Sequence, residues 1–424
     1  MATYLLCSTP VHGHVSPMIA IGRDLVARGN RVVMLTGARF ADRVTGAGME
    51  FAGLSGTAEF DDRDADAYLP DRHLHRGLAL AQYDIQTIFV KTIPDQARSV
   101  EALLEVVRPD AILVDGAFAG VTPLLQRADR PPILAVGVTP LTQSSVDVAP
   151  AGMALPPARG AAGRLRNRVL HRLAKTVLFR QTQELGTRMI AEAGGDLGDL
   201  FIMDVSAAFD RFLHLSSPGM EYPRRDMAPN TVLIGPLPAA DTDAPLPAWW
   251  DDLDDGRPVI HVTQGTIDNR DLDRLIRPTL VALADLDAHV VVSLGGRPAE
   301  DLGEVPRNVR VASYLPYEKL LQRTDVFVTN GGFGGVQQAL SHGVPIVIAG
   351  DTEDKPEVAA RVGWSGVGVN LRTGSPSPAA IRRAVDTILG DTTHRAAAEA
   401  EAMRIADLHP FDTIAEELAQ ATRR

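Results

Sequence analysis

The sequence predicts an α/β protein of two domains, each built on a parallel β-sheet covered by helices. Its 424 residues exceed what one ordinary hydrophobic core supports, so two domains are expected. Short apolar runs alternate with stretches of helical spacing in both halves of the chain, as in strands joined by crossover helices. A proline-rich, aspartate-rich stretch over residues 216–258 separates the halves and is interpreted as a linker.

The first domain is predicted to span residues 1–215. It opens with a strand over residues 4–7, a loop over residues 9–17 that is rich in Gly, His and Pro, and a helix over residues 18–28. Gly29 and Asn30 end that helix. Further strands of this domain are predicted at residues 31–35, 111–115 and 133–136.

The second domain is predicted to span residues 259–408, where the alternation of strand and helix resumes. Its strands are predicted at residues 259–263, 290–293, 309–311, 326–328 and 346–348. Two similar α/β domains in one chain are expected to leave a cleft between them.

Composition excludes several classes of protein. The net charge of −11 argues against nucleic acid as the main partner, because binding to phosphates requires a basic surface. Cys7 is the only cysteine, which rules out an intrachain disulfide and favours a reducing compartment. No apolar stretch is long enough to span a bilayer, and no Lys or Arg precedes Arg23, as a secretory signal would require. A cytoplasmic location is therefore expected.

One segment, residues 159–180, is strongly basic and contains no acid. Leu165, Val169, Leu173 and Val177 recur every four residues in it, which predicts an amphipathic helix with a basic outer face. A solvated helix face is the favoured interpretation. The alternative is a surface for an anionic acceptor or for peripheral contact with a membrane.

The most informative segment is residues 326–335, which read VFVTNGGFGG. A buried strand runs into a glycine-rich turn, and residues 336–341 can continue as a helix. Backbone N–H groups at such a helix start bind anions, and glycines let a phosphate approach closely. The spacing is not that of a dinucleotide-binding fingerprint, and no Walker-type loop is present. Alone, the turn could equally be a tight packing turn.

The sequence around this turn raises its significance. Residues 339–345 read ALSHGVP, and an acidic stretch follows at residues 351–357. The whole run 308–362 resembles the donor-binding signature of the family 1 (UGT-type) nucleotide-sugar glycosyltransferases, in its bacterial branch. The His-Gly-His loop near the N-terminus and the strand and turn at residues 259–266 match as well. The resemblance implies the GT-B fold, in which two Rossmann-like domains face each other and a C-terminal helix, here residues 409–424, packs back on the first domain.

The resemblance also implies a set of donor-binding residues. They are Gly265, Thr266, Tyr314, Leu315, Asn330, Gly331, Gly332, Gly334, Gly335, Gln338, Asp354 and Lys355. Tyr314 takes the place of the aromatic side chain that stacks on the base, and Asp354 that of the acid on the sugar hydroxyls.

Four donor positions depart from the family pattern. Asn330 replaces the phosphate-binding His, Gly335 replaces a Ser and Gln338 replaces the acid on the ribose. These losses put a preference for UDP-glucose in question. Lys355 replaces the usual Gln and either binds an acidic sugar or pairs with Glu353 or Asp351. Pairing at the surface is the favoured interpretation.

Inverting transfer to a hydroxyl requires a base, and histidine suits that role because its pKa of about 6.5 lies near working pH. His12 and His14 follow the first strand, at the edge where open α/β sheets bind ligands. The resemblance aligns His14 with the family base, and His12 is the fallback. Asp115 ends a strand and matches the acid that orients the base. Loop stabilisation by the histidines and helix capping by Asp115 are the structural alternatives.

The acceptor site is predicted in loops of the first domain. Apolar side chains there indicate a lipophilic or aromatic small molecule, and the proposed contacts are Phe60, Tyr68, Leu78, Phe89, Leu141 and Met153. No metal or other cofactor is expected, because helix dipoles and hydrogen bonds neutralise the departing diphosphate in GT-B enzymes. Asp-x-Asp pairs, such as Asp241 with Asp243, fall mostly in loops or in the linker.

The sequence thus predicts an inverting, metal-independent glycosyltransferase that moves a sugar from a UDP- or TDP-sugar to a small-molecule hydroxyl. UDP or TDP is the expected second product. One alternative is a lipid-linked sugar transferase or a nucleotide-sugar epimerase of the same fold. Another is a catalytically silent partner protein that binds a nucleotide. Liposome flotation, conversion of the donor without acceptor, and the absence of all turnover distinguish these in turn. The oligomeric state cannot be inferred.

Overall fold

The computed structural model describes residues 1–239, 245–266 and 268–423. Residues 240–244 of the predicted linker, including the Asp241 and Asp243 pair, and residue 424 of the predicted C-terminal helix lie outside the described residues. Thirteen strands occur in the described part. Those of the first sheet are β1 (Thr3–Cys7), β2 (Arg31–Thr36), β3 (Glu50–Gly53), β4 (Ala111–Asp115), β5 (Ile133–Gly137), β6 (Arg211–His214) and β7 (Thr231–Leu233). Those of the second are β8 (Val259–Thr263), β9 (His289–Ser293), β10 (Val309–Ala312), β11 (Val326–Thr329), β12 (Ile346–Ile348) and β13 (Gly368–Asn370).

Both sheets are parallel and share one strand order. The first runs β3-β2-β1-β4-β5-β6-β7, and the second runs β10-β9-β8-β11-β12-β13. In each sheet the order reverses beside the first strand in sequence, between β1 and β4 and between β8 and β11. Such reversal points open a crevice at the carboxyl ends of the strands, where α/β proteins bind ligands. The predicted fold class, two parallel α/β units of the GT-B type, is confirmed.

Fourteen α-helices connect and cover the strands of the described part. Those of the first half are α1 (His12–Ala27), α2 (Ala41–Gly46), α3 (Ala65–Tyr68), α4 (Gly77–Asp84), α5 (Ile93–Val107), α6 (Gly160–Leu173) and α7 (Arg180–Glu192). Those of the second half are α8 (Ile276–Leu283), α9 (Tyr317–Leu321), α10 (Phe333–Ser341), α11 (Lys355–Ser365), α12 (Pro378–Gly390), α13 (Thr392–Ala406) and α14 (Pro410–Ala421). None of them is long and apolar enough to cross a membrane.

Alternating side chains of β1 are buried in two separate cores, one on each face of the first sheet. Leu6 belongs to the core that contains Met18 of α1, and this core also contains Ile414 and Leu418 of α14. The C-terminal helix therefore packs on the first sheet. Cys7 points the other way, into the core that α5 covers, and its thiol is fully buried. Burial raises the pKa of this thiol, with a further contribution from the charge of Asp115.

Two predictions about the first half are corrected. The predicted linker contains β7, which extends the first sheet beyond the predicted boundary at residue 215. Prolines around it hid this strand, which is only three residues long. Helix α1 begins at His12, inside the predicted loop of residues 9–17. Its first turn forms because the Val11 carbonyl accepts both the His14 and Val15 amides at 2.9 Å, in spite of Pro17.

Candidate active site

The first candidate group is a histidine–aspartate pair at the reversal point of the first sheet. Asp115, the last residue of β4, is fully buried, and its Oδ1 lies 2.9 Å from Nδ1 of His14 in the first turn of α1. The Thr9 amide donates to Oδ2 of Asp115 at 2.6 Å, and the Ala117 amide donates to Oδ1 at 2.9 Å. The carboxylate is thus fixed from three sides, and it fixes the imidazole in turn.

The pair assigns the two ring nitrogens of His14 different roles. An ionised Asp115 only accepts hydrogen bonds, so the proton of a neutral imidazole lies on Nδ1 and the lone pair lies on Nε2. Nε2 has no hydrogen-bond partner among the residues that the structure describes. Burial lowers the pKa of His14, but the charge and hydrogen bond of Asp115, with the charges of Asp354 and Glu353, outweigh burial and raise the pKa. Such an imidazole is an oriented and strengthened base.

His12, the fallback base, has a different environment. Its Nδ1 lies 3.4 Å from Nη1 of Arg43, and its Nε2 lies 3.3 Å from Oγ of Ser16. Burial, together with the charges of Arg43 and Arg39, lowers the pKa of His12 to about 4. Its surroundings disfavour proton uptake, and the structure therefore favours His14 over His12 as the base.

The second candidate group is the glycine-rich turn at the reversal point of the second sheet. Gly331 has a positive φ of 96°, and a Cβ there would lie 2.7 Å from Cδ1 of Ile348, so only glycine fits. Helix α10 begins directly after Gly332, and its first bond within the helix runs from the Val336 amide to the Gly332 carbonyl. The amides of the first turn, including those of Gly334 and Gly335, remain unused by that helix and can bind an anion.

Asn330 joins this turn to the loop after β8. Its Nδ2 donates to the Gln264 carbonyl at 2.7 Å, and its Oδ1 faces Gly265, which has a φ of 71°. Thr266 is exposed beside Gly265. Asn330 is buried, and one of its two amide protons already forms the hydrogen bond to Gln264 that holds the two loops together. Asn330 stands where the family has a phosphate-binding histidine. It forms one structural hydrogen bond and keeps a second N–H group that could bind a phosphate.

Residues at the start of α11 extend the second group toward the first. Asp354 is the N-cap of α11, and burial raises its pKa to about 6. The charge of Asp354 also contributes to the raised pKa of His14, so the two residues are electrostatically coupled. Lys355 is buried, and its Nζ pairs with Glu353 and, at 3.5 Å, with Oδ2 of Asp268. The predicted pairing of Lys355 with Glu353 is thus present. The Glu353 side chain is 42% exposed, as expected of a surface pair, whereas the Lys355 side chain is buried, which was not expected.

The remaining donor predictions are placed as follows. Tyr314 is exposed, and a Cβ on Gly296 would lie 2.6 Å from its hydroxyl, so its ring lies over that glycine. Leu315 is buried against Trp250 and Leu320, which leaves only its backbone for a ligand. Gln338 is half-buried on α10. The donor-binding role of all these residues stays a prediction.

The predicted acceptor contacts fall into three sets. Phe89 lies against the catalytic candidate, with its ring centroid 5.5 Å from that of His14, and the rings of Phe60 and Tyr68 stack at 4.5 Å. Leu78 is exposed and Met153 is half-buried. Leu141 is corrected: it is buried in the core beneath the first sheet, where it cannot line an open pocket.

Sequence reasoning missed a buried network that joins the two halves. Glu221 and Arg361 pair at 2.8 Å, and both side chains are almost completely buried. Arg361 also binds Glu357 at 2.8 Å, and Oε1 of Glu357 accepts the amides of Gly152 and Ala154 at 2.8 Å each. Burial would raise the pKa of Glu221, but the charge of Arg361, a hydrogen bond from His214 and the charge of Arg224 hold it well below its usual range.

This network connects the first turn of α11 to the loop at residues 152–154. Asp354 is the N-cap of α11, and Glu357 in the first turn of this helix binds the loop that carries Met153. Ala154 has a positive φ of 51°, a strained value for a residue with a Cβ. No local sequence signal indicated this contact, because its partners are about 200 residues apart. Among the described residues, no three His, Cys, Asp or Glu side chains converge as metal ligands.

Comparison with known proteins places the chain in a family. Residues 277–419 match the family described as erythromycin biosynthesis protein CIII-like, C-terminal domain. The chain is 37% identical over 396 residues to 4'-demethylrebeccamycin synthase of Lentzea aerocolonigenes, covering 93% of each protein. It is 38% identical over 416 residues to UDP-glycosyltransferase 2 of Phaeomoniella chlamydospora, covering 92% of this chain and 89% of that relative.

Solved structures of glycosyltransferases share the fold. The calicheamicin glycosyltransferase CalG4 is similar with a TM-score of 0.70 and 20% identity, covering 100% of this chain and 99% of that one. The glycosyltransferase VinC, in complex with dTDP, is similar with a TM-score of 0.69 and 19% identity over the whole of both chains. With relatives above 30% identity over nearly the full length, this chain belongs to the UGT-type nucleotide-sugar glycosyltransferases of the natural-product kind, with the GT-B fold.

Proposed function

We propose that this glycosyltransferase inverts the anomeric centre in a single displacement, with His14 as base and Asp115 as the acid that orients it. The observation that carries the proposal is the 2.9 Å contact between Nδ1 of His14 and Oδ1 of Asp115, which leaves Nε2 available as the base. An acceptor hydroxyl whose proton is within reach of Nε2 would donate it as the oxygen attacks.

The displacement balances without a covalent enzyme intermediate. The acceptor oxygen forms a bond to the anomeric carbon from the face opposite the diphosphate, while the bond from that carbon to the diphosphate oxygen breaks. The proton moves to Nε2 of His14, and Asp115 stabilises the imidazolium that results. The pair of electrons leaves with the nucleoside diphosphate.

We propose that the glycine-rich turn stabilises the negative charge of the departing diphosphate. The free amides of the first turn of α10, at Gly334 and Gly335, would donate to phosphate oxygens. The positive end of the α10 dipole adds to this stabilisation, so the reaction needs no metal in our proposal. Asp354 is proposed to hold sugar hydroxyls as an ionised carboxylate, and Tyr314 to stack on the base.

The donor is proposed to be a UDP- or TDP-sugar. Relatives of this chain include a UDP-glycosyltransferase and a UDP-glucosyltransferase, and three glycosyltransferases of the same fold have been solved with TDP. The acceptor is proposed to be a lipophilic or aromatic small molecule. This rests on Phe89 beside His14 and on the stacked rings of Phe60 and Tyr68.

The test is a product screen that pairs UDP- and TDP-sugars with a panel of aromatic and macrolide acceptors, analysed by mass spectrometry. NMR of the product then assigns the anomeric configuration, and a parallel reaction contains EDTA. We expect a new glycoside of inverted configuration, formed at the same rate with EDTA. Retention of configuration would overturn the single displacement. Loss of activity in EDTA that added Mg²⁺ restores would overturn metal independence.

The same screen separates the alternative functions. A nucleotide-sugar epimerase would convert the donor in the absence of any acceptor. A silent partner protein would shift its melting temperature with a donor but yield no product with the acceptor panel, with water or with a lipid-linked acceptor. Either result would overturn the transferase mechanism proposed for His14.

A further inference from the structure

The basic segment of residues 159–180 presents an apolar stripe to solvent. Four aliphatic side chains of α6 and the turn of π-helix after it are exposed, Leu165 by 60%, Val169 by 59%, Leu173 by 42% and Val177 by 60%. Elsewhere in the described part, exposed large apolar side chains occur one to an element. The predicted helix is present, but its outer face is not basic alone, since the aliphatic stripe is exposed as well.

The orientation of the helix is set by polar contacts on its inner side. Asn167 is fully buried, and its Nδ2 donates to the Val146 carbonyl at 3.1 Å. One turn later, Nε2 of His171 lies 3.0 Å from the Val148 carbonyl and donates to it. These two side chains, four residues apart, satisfy backbone carbonyls of the preceding loop. The apolar stripe must then face outward.

Arginines flank the outward stripe. Arg166, Arg168 and Arg172 are exposed, and Arg168 and Arg172 form no ion pair with any described residue. The segment 159–180 holds seven of the 42 basic residues of the chain and no acid, which leaves 35 basic against 53 acidic residues elsewhere. The basic–apolar face, defined as the four aliphatic residues with Arg166, Arg168 and Arg172, is thus opposite in charge to the rest of the protein.

We propose that the basic–apolar face docks on the surface of a membrane with anionic headgroups. An apolar stripe between arginines is the arrangement of helices that lie in the plane of a membrane interface, with the aliphatic side chains among the acyl chains and the cations at the phosphates. A second copy of this chain fits less well, because a twofold contact through this face would bring the same arginines together. The docking itself does not depend on the proposed function.

Docking would place the loop at residues 152–154, which carries the predicted acceptor contact Met153, close to the membrane. Helix α6 begins at Gly160, shortly after the segment whose Gly152 and Ala154 amides bind Glu357 of α11. A lipophilic acceptor dissolved in the bilayer would then be concentrated beside the cleft. This consequence rests on the proposed function.

The experiment is vesicle flotation of the full-length protein. Vesicles of phosphatidylcholine are compared with vesicles that carry about 30% phosphatidylglycerol, at low and at high salt. We expect binding to the anionic vesicles alone and release by salt. The double variant Arg168→Gln/Arg172→Gln should bind roughly 30-fold more weakly, from about 1 kcal/mol per cation. The variant Leu165→Ser/Val169→Ser should lose at least about tenfold, because two aliphatic side chains no longer enter the interface.

Matched controls lie on the second half of the chain. Arg307→Gln/Arg383→Gln removes the same charge, and Met403→Ser removes an exposed apolar side chain, and both should bind like the unchanged protein. Thermal melting shows that each variant is folded. Absence of binding to anionic vesicles, or an equal loss in the controls, would overturn the proposal. So would a dimer, seen by light scattering, that Leu165→Ser/Val169→Ser abolishes while no protein floats.

Discussion

The first sheet presents its candidate catalytic groups after β1 and at the end of β4, and the second sheet presents its candidate donor groups after β8 and β11. The two sites therefore occupy equivalent reversal points of one strand order, yet they use different chemistry. At the first, function is assigned to side chains, His14 and Asp115, each held by hydrogen bonds. At the second, it is assigned mostly to backbone amides of a glycine turn.

The two kinds of site tolerate substitution differently. A site made of side chains fails when atoms are removed, because the reacting group itself disappears. A site made of backbone amides fails when atoms are added, because a Cβ occupies the space that the ligand needs. Substitutions at the two sites and a change of pH test this contrast.

Removal of the His14 imidazole should have the largest effect. His14→Ala is expected to lower turnover by about 10²- to 10⁴-fold, the usual contribution of a positioned general base, with little change in donor affinity. His12→Ala is the matched control and should lose less than about tenfold, because its imidazole has no carboxylate partner. Initial rates with saturating donor measure both. Equal losses in the two variants would remove His14 from the role of base.

Release of the contact between the halves should come next. Glu357→Ala removes two charge-assisted hydrogen bonds to the Gly152 and Ala154 amides, and we expect the KM for the acceptor to rise roughly 10- to 100-fold. Donor affinity, measured by calorimetry, should change little. Glu357→Gln keeps an oxygen that can accept both amides, so its KM for the acceptor should lie between those of the unchanged protein and Glu357→Ala. A loss confined to donor affinity would show that the loop at residues 152–154 is not part of the acceptor site.

Addition of a methyl group to the glycine turn should have a smaller but selective effect. A Cβ on Gly334 meets no atom within 4 Å, so Gly334→Ala should fold with an unchanged or slightly raised melting temperature. Its donor affinity should fall about tenfold, since the methyl group is added to the first turn of α10, where we propose that the phosphates bind. Gly331→Ala is the contrast. It forces a strained φ and a clash with Ile348, and should destabilise the free protein by about 1–3 kcal/mol.

A change of pH should have the smallest effect, and it should affect the two sites in different pH ranges. His14 must be neutral to accept a proton and its pKa is raised, so kcat/KM should fall as pH drops through a value above the ordinary 6.5 or so. Asp354 must be ionised in our proposal and its pKa is about 6, so donor affinity should weaken below pH 6. Asp354→Asn should flatten the second profile and shift the first slightly downward. A single shared profile that this variant leaves intact would contradict the assignment.

The fold class and the place of both sites were accessible from local sequence. Strand and helix alternation is a short-range signal, and so is the strand–glycine–helix pattern around Gly331. His14 was singled out because it follows a strand in a loop with the family pattern. The resemblance had already matched Asp115 with the acid that orients this base. The structure adds the contact itself, 2.9 Å between two side chains that are 101 residues apart in the sequence.

The failures have a common physical origin in contacts distant along the chain. Lys355 is buried because Asp268, from another loop, compensates its charge together with Glu353. Residues 159–180 have the spacing of a helix that buries its aliphatic side, yet bonds from Asn167 and His171 to loop carbonyls turn that side outward. Periodicity gives the faces of a helix, but which face is inside depends on partners that lie elsewhere in the sequence.

The burial of Cys7 bears on how motions of the cleft can be observed. This thiol is the only one in the chain, it is fully inside the core beneath the first sheet, and its raised pKa keeps it protonated. Alkylating reagents act on exposed thiolates, so the native protein should remain unlabelled under mild conditions. Cysteines introduced in pairs, one on each half, would then carry spectroscopic probes without a cysteine-free background. The distance between donor and acceptor sites becomes directly measurable as substrates bind.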